Sequence, residues 1–260
     1  VAVEDLEATP CRGLRDLGAT VLSLEGDRAG RDYLFGQKVF AAAQVERLVE
    51  STDHTVVWFD PEAIVLGPPA ELDLGGVLAA ALRPVYLTNK VALPPEAPAD
   101  KFWKPILDMA GVALEELPIV ESVVHREKMR AYFNCGIIAY RPSLGICREW
   151  ARLFTLLVND PAYQKAACAD APHRVFLHQA VVSAVIAART KEGDRRWLPS
   201  ECGYPLNLHG EMPAARKAAR LNDLSCAVAE QVWDKWPDLS TYIHVDEPLA
   251  SWLDEQLAAR

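Results

Sequence analysis

Residues 55–66 read TVVWFDPEAIVL, an apolar stretch broken once by Asp60-Pro61-Glu62. Val56, Val57, Trp58 and Phe59 are consecutive and apolar, the pattern of a strand buried on both faces of a parallel sheet. Pro61 has no N–H to give to a sheet ladder, so the strand should stop at or just before Asp60. The chain resumes as a second apolar segment over residues 63–66 and turns at Gly67-Pro68-Pro69. In open α/β sheets, ligands bind beyond the C-terminal ends of the strands. Two carboxylates flanking a stiff proline can present oxygens to one hard divalent cation. A surface turn with solvated acids accounts for the same residues, and the stretch alone leaves both readings open.

Upstream, residues 1–3 have the character of a strand end. Thr9-Pro10 then opens a short helix that Gly18 closes. Residues 19–24 (ATVLSL) form the next expected strand. Residues 35–49 carry Phe35, Val39, Phe40, Ala43, Val45, Leu48 and Val49 at helical spacing, and Ser51-Thr52-Asp53 links them to the strand at 56–59. This β-α-β-α-β order predicts an α/β fold, Rossmann-like, with a mostly parallel central sheet flanked by helices.

A chain of 260 residues can bury one large core, and the expectation is a single domain over residues 1–260. The net charge of −9 and the lack of a basic run argue against a nucleic-acid partner. The six cysteines form no C-x-x-C pair or zinc spacing, which fits reduced core residues. These residues contain neither a run long enough to span a membrane nor a signal peptide, so a cytoplasmic location is expected; the start at Val1 rather than Met weakens that inference.

Downstream, the pattern predicts a short helix over residues 72–82, a strand over 84–87 and a proline-rich loop over 88–100. Lys90 in that loop can contact an anion or simply be solvated. Residues 102–110 and 112–117 read as helices and 119–124 as a strand. The segment 132–140, YFNCGIIAY, predicts a buried strand over 137–140, preceded by Asn134-Cys135-Gly136. An asparagine amide suits a sugar hydroxyl, and a glycine lets backbone approach a ligand; an ordinary strand entry explains both residues equally. Residues 144–157 read as a helix packed on the sheet. Residues 176–188 read as a buried helix with His178-Gln179 in its first turn, where free N–H groups favour phosphate. A core or capping histidine is the plainer reading of His178. Thr241-Tyr242-Ile243-His244 is strand-like, and residues 249–259 read as a final helix.

The order WFDPEAIVL, YFNCGIIAYRPS, FLHQAVV, WLPSECGYPLN and YIHVDEP resembles nucleotide-sugar glycosyltransferases of the GT-A fold. It is most similar to the retaining, glycogenin- and galactosyltransferase-like (family 8-like) group. The resemblance implies a GT-A-like domain that binds a nucleoside-diphosphate sugar donor and passes the sugar to an acceptor such as a glycan, lipid or protein. It implies that Asp60, Glu62 and His244 are metal ligands for Mn²⁺ or Mg²⁺, with Asp60 also near the donor. It places Asn134 and Gly136 against the donor sugar, His178 and Gln179 near the scissile bond, and Asn207 in a late substrate loop; Lys90 is a further phosphate contact. Three departures stand out: Glu62 replaces a second Asp, His178 replaces an Asp, and the H-x-x-G-x-x-K-P-W run is absent after His244. The upstream strand that meets the nucleotide base in relatives is not clearly present. A non-catalytic scaffold of the same fold fits these departures. A nucleotidyltransferase would need a phosphate loop, for which residues 26–31 (GDRAGR) are a poor match.

Overall fold

The computed structural model describes residues 2–3, 9–49, 54–228 and 241–257. The link at 51–53 and the end of the last helix beyond residue 257 lie outside the described residues. The chain divides into two compact units, each built from three segments.

The first unit comprises Val1–His54, Glu96–Leu117 and Pro142–Arg189. A two-stranded parallel ladder pairs β1 (Ala2–Val3) with β2 (Leu22–Ser23), so only part of the expected 19–24 strand is paired. The helices are α1 (Thr9–Asp16), α2 (Arg28–Asp32), α3 (Gly36–Leu48), α4 (Trp103–Ala110), α5 (Ile146–Val158), α6 (Pro161–Ala167) and α7 (Ala171–Arg189). Their starts follow from capping chemistry. Asp100 Oδ1 accepts the N–H groups of Phe102 and Trp103 at 2.9 and 2.8 Å, and Pro105 sits harmlessly in the opening turn of α4. Asp160 caps α6 through Ala162 and Tyr163, ahead of Pro161 at the first helical position. Gly145, ahead of α5, has no capping side chain, and Glu46 of α3 substitutes for one. Its carboxylate accepts the N–H groups of Cys147 and Arg148 at 3.0 and 2.8 Å. Ile146, Trp150, Leu153, Phe154 and Leu157 make α5 a buried stripe at helical spacing.

The second unit comprises Thr55–Pro95, Pro118–Arg141 and Thr190–Arg260. Its main sheet has the order β3 (Val56–Phe59), β8 (Phe133–Tyr140), β5 (Ala80–Pro84), β9 (Arg195–Trp197). β8 pairs antiparallel with both β3 and β5, and β9 pairs parallel with β5. Three of the four strands therefore run the same way, with β8 alone reversed. A smaller sheet orders β10 (Cys202–Pro205), β11 (Cys226–Val228) and β4 (Ala63–Val65). A hairpin joins β6 (Ile119–Glu121) to β7 (Lys128–Arg130), and α8 (Leu249–Leu257) ends the described chain.

Several expectations are corrected here. β3 lies at the end of the sheet order among the described residues and is half-buried, because it pairs on one side only. Residues 72–82 are not a helix. After a short 3₁₀ turn at Ala70–Leu72, Gly75 adopts φ +54 and the alanine-rich end becomes β5. Pairing with β8 and β9 there overrides helix propensity. Residues 112–117 contain only a 3₁₀ turn, Leu114–Glu116. β8 begins at Phe133, so Asn134 and Gly136 lie within the strand rather than before it. Finally, α7 begins at Ala171, with Asp170 Oδ1 accepting the N–H of His173 at 3.0 Å. His178 and Gln179 thus sit inside the helix, where the N–H groups are spent on its own ladder.

Candidate functional site

The 56–66 stretch builds the site by strand geometry. Side chains two residues apart share a face, so Trp58 and Asp60 stand side by side. The indole Nε1–H of Trp58 donates to Asp60 Oδ1 at 2.7 Å. Just past the Phe59–Ile137 pair, the N–H of Asp60 donates to the carbonyl of Gly136 at 2.8 Å. Asn134, also on β8, turns its Oδ1 onto the N–H of Gly136 at 2.8 Å. A Cβ at Gly136 would lie 3.0 Å from Asn134 Oδ1 and 3.2 Å from Asp60 Oδ2. Gly136 therefore makes room for two side-chain oxygens. The result is a compact polar group, Asp60, Asn134 and Gly136, at the C-terminal end of β3, where ligands collect in such sheets.

Of the other expected residues of this unit, Lys90, Asn207 and His244 make no hydrogen bond or ion pair with that group among the described residues. Glu62 is exposed beside Pro61. Lys90 is exposed in the proline-rich loop, and Asn207 is exposed in the 3₁₀ segment Leu206–Glu211. His244 forms an isolated parallel bridge with Arg220, and its Nε2 lies 2.7 Å from Asp246 Oδ1. Arg220 also pairs with Asp246 and Asp223, at 3.2 and 2.6 Å. Among the described residues, no three or more His, Cys, Asp or Glu side chains stand close enough to hold a metal ion. The donor set expected for Mn²⁺ or Mg²⁺, Asp60, Glu62 and His244, is thus not brought together among the described residues.

His178 belongs to the helical unit and is 3 % exposed. Its Nδ1–H donates to the carbonyl of Val175 at 2.8 Å, which fixes the neutral tautomer. The Phe35 ring stacks on it at 4.6 Å, and the Trp150 indole N–H donates to its backbone carbonyl at 2.8 Å. Burial, with Lys38 nearby, lowers its pKa to about 3, while the Val175 bond works weakly the other way. These contacts describe a core histidine. Gln179 beside it is also buried, and its carbonyl accepts the Ser183 hydroxyl at 2.6 Å.

Residues 26–31 are not a phosphate loop. Asp27 Oδ2 accepts the N–H of Gly30 at 2.9 Å and caps α2, so the backbone donor a phosphate would use is taken.

Residues 4–190 match the family described as the Rhodobacterales glycosyltransferase domain. The chain belongs to this family. The glycosyltransferase match includes Asp60, Glu62, Lys90, Asn134, Gly136, His178 and Gln179, and it ends before Asn207 and His244. Two solved glycosyltransferases are similar in structure. One is galactosyltransferase LgtC in complex with donor and acceptor sugar analogs, at 12% identity and TM-score 0.46, over 97% of this chain and 81% of that one. The other is the apo structure of the bifunctional WbbM, at 13% identity and TM-score 0.40, over 91% of this chain and 39% of that one. No curated protein matches the sequence. As a glycosyltransferase the protein is a transferase of sugars, and no helix among its described residues is long and apolar enough to cross a membrane.

Sequence reasoning missed three residues. Trp58 was legible from the two-residue spacing to Asp60. Arg83 is a lone charge within a buried strand, obscured by the helical reading of residues 72–82. Asp246, the partner of His244, lies two residues further along the quoted YIHVDEP run.

Proposed function

We propose that the protein moves a sugar from a nucleoside-diphosphate sugar to an acceptor hydroxyl at the Asp60–Asn134–Gly136 group. The bond from the anomeric carbon to the diphosphate oxygen breaks, and the diphosphate leaves with that electron pair. The acceptor oxygen bonds to the anomeric carbon, and its proton passes to an oxygen of the departing diphosphate. Asn134 and Asp60 offer oxygens, and Asn134 an amide N–H₂, to the sugar hydroxyls. Trp58 fixes the carboxylate of Asp60, so little reorganisation is needed at the moment of reaction. The observation that carries the reading is the convergence of Asp60 and Asn134 on Gly136 at a strand C-terminus, within the family match.

Calorimetric titration with a panel of nucleoside diphosphates, with and without Mn²⁺, tests it together with donor turnover. The expected result is binding of at least one nucleotide. Release of that nucleotide from its sugar conjugate should fall at least about tenfold in Asp60→Asn, the loss of one charge-assisted contact. Nucleotide binding without turnover would favour the non-catalytic scaffold. No binding to any nucleotide would overturn both readings.

A further inference from the structure

All six cysteines are buried and unlinked, and two of them meet in the small sheet of the second unit. Cys202 of β10 and Cys226 of β11 are in-register neighbours on adjacent parallel strands. Their sulfurs lie 3.4 Å apart, and both residues are 0 % exposed. Neighbouring strands run about 4.8 Å apart, inside the Cα separation of about 4.4–6.8 Å that a disulfide spans. A bond between the two sulfurs therefore asks for little movement of either strand.

The surroundings distinguish one sulfur from the other. The register between β10 and β11 slips after Cys202, where Gly203 adopts φ +76, a conformation glycine takes at little cost. The Gly203 N–H donates to Cys226 Sγ at 3.0 Å. Arg83 is anchored close by, with its Nη2 donating to the carbonyls of Pro199 and Cys202. The Cys202 thiol donates to Cys226 and lowers the Cys226 pKa; Gly203 and the charge of Arg83 act in the same direction, against burial. The same hydrogen bond, together with burial, raises Cys202. Cys226 is thus placed as the nucleophilic thiolate and Cys202 as its resolving partner.

We propose that Cys202 and Cys226 form a reversible peroxide-oxidation site that closes to a disulfide across β10 and β11. The Cys226 thiolate attacks one oxygen of hydrogen peroxide, the O–O bond breaks, and Cys226 becomes a sulfenic acid. The hydroxide released takes the Cys202 proton and becomes water. The Cys202 sulfur then attacks the Cys226 sulfur and the S–O bond breaks. The second hydroxide leaves as water with the proton that Cys226 first gave up. The two thiols lose two electrons and the peroxide gains them. The oxidant must be small, because neither sulfur is exposed. Cys202 follows directly on the turn at residues 199–201, whose Ser200 lines cavities of about 380 and 190 Å³, so a peroxide can come within two residues of the pair. The link ties β10, which leads into the segment carrying Asn207, to β11, whose other neighbour β4 follows directly on Asp60-Pro61-Glu62.

Peroxide treatment of the reduced, folded chain, followed by alkylation and non-reducing peptide mass mapping, tests the proposal. The expected product is a Cys202–Cys226 linked peptide pair, lighter by two hydrogens and released by dithiothreitol. Its yield should exceed that from the chain unfolded in guanidinium by at least about tenfold, since only the fold holds the two sulfurs together. Oxidised glutathione, too large for the site, should give at least about tenfold less linkage than peroxide. In Cys202→Ala the sulfenic acid should persist, so that dimedone added with denaturant labels Cys226; in Cys226→Ala, Cys202 should stay unlabelled. The wild-type mapping needs no variant, and circular dichroism shows which variants are folded. The proposal is overturned if both thiols of the peroxide-treated native chain remain alkylatable, if either links to another cysteine, or if the pair links no better than in the unfolded chain. Equal linkage by oxidised glutathione, or dimedone on Cys202 in folded Cys226→Ala, would overturn it as well.

Discussion

The indole N–H of Trp58 holds one carboxylate oxygen of Asp60 at 2.7 Å, and the other oxygen lies toward Gly136. The pair fixes the rotamer of the acid most central to the proposed chemistry, through a strand-face neighbour instead of the acid's own loop. Trp58→Phe keeps the apolar ring and removes only the donor. Donor turnover should fall about three- to tenfold, the worth of one hydrogen bond to a charged, half-buried group. In Asp60→Asn the same substitution should have little further effect, and a double-mutant cycle on turnover checks this.

Gly136→Ala places a methyl group 3.0 Å from Asn134 Oδ1 and 3.2 Å from Asp60 Oδ2. Both neighbours are side-chain oxygens, so they can give way at modest cost, and stability should drop by about 1 kcal/mol. Turnover should drop far more, by at least about tenfold, because both displaced groups belong to the site. Thermal melting and steady-state kinetics on one preparation separate the two losses.

His244→Ala should leave Mn²⁺ affinity in the presence of a nucleoside diphosphate unchanged, because His244 Nε2 is engaged by Asp246 and no metal-ligating group forms around it among the described residues. Calorimetry of Mn²⁺ into the nucleotide-loaded protein and its variant checks this. A loss of affinity of about tenfold would restore the histidine as a ligand.

His178 carries a pH prediction. Its folded pKa is lowered by burial to about 3, so between there and the ordinary histidine range the unfolded chain binds the extra proton. Its contribution to stability is present above about pH 6.5 and is lost as pH falls toward 3. Urea unfolding from pH 7.5 to pH 4.5 should show a steeper loss in wild type than in His178→Asn, which cannot titrate.

Glu46 behaves in the opposite sense. Burial raises its carboxyl pKa, although the N–H groups of Cys147 and Arg148 and the Arg148 side chain pull it down. A raised acid favours folding most in its protonated form, so this contribution shrinks as pH rises through the window just above the ordinary glutamate value. Glu46→Ala should nonetheless cost about 1–3 kcal/mol in denaturant unfolding near neutral pH, because it leaves the first N–H groups of α5 without an acceptor.

The sequence announced the site's backbone better than its side chains. The stop at Asp60, the strand at 137–140 and the helices at 35–49 and 144–157 followed from Pro61 and from apolar period. α6 was equally readable from Asp160-Pro161, but its short length hid it. The 72–82 segment misled because alanine and leucine favour a helix locally, while its strand state depends on distant pairing with β8 and β9. Arg83, the Cys202–Cys226 pair and the His244–Asp246 pair share that difficulty: each acquires meaning from partners that spacing along the chain does not specify.

Each contact unit is stitched from three separated segments, and this sets the order in which the protein can finish folding as it is made. The helical unit needs the segment ending at Arg189, although its first helices are synthesised long before. The sheet unit must wait longer, since β9, β10 and β11 all follow Thr190. During synthesis β3 and β8 therefore emerge before the last and longest segment of their unit, Thr190–Arg260, has been made. A nascent chain paused between Tyr140 and Thr190 exposes an incomplete sheet edge, the state most open to capture by chaperones or to aggregation.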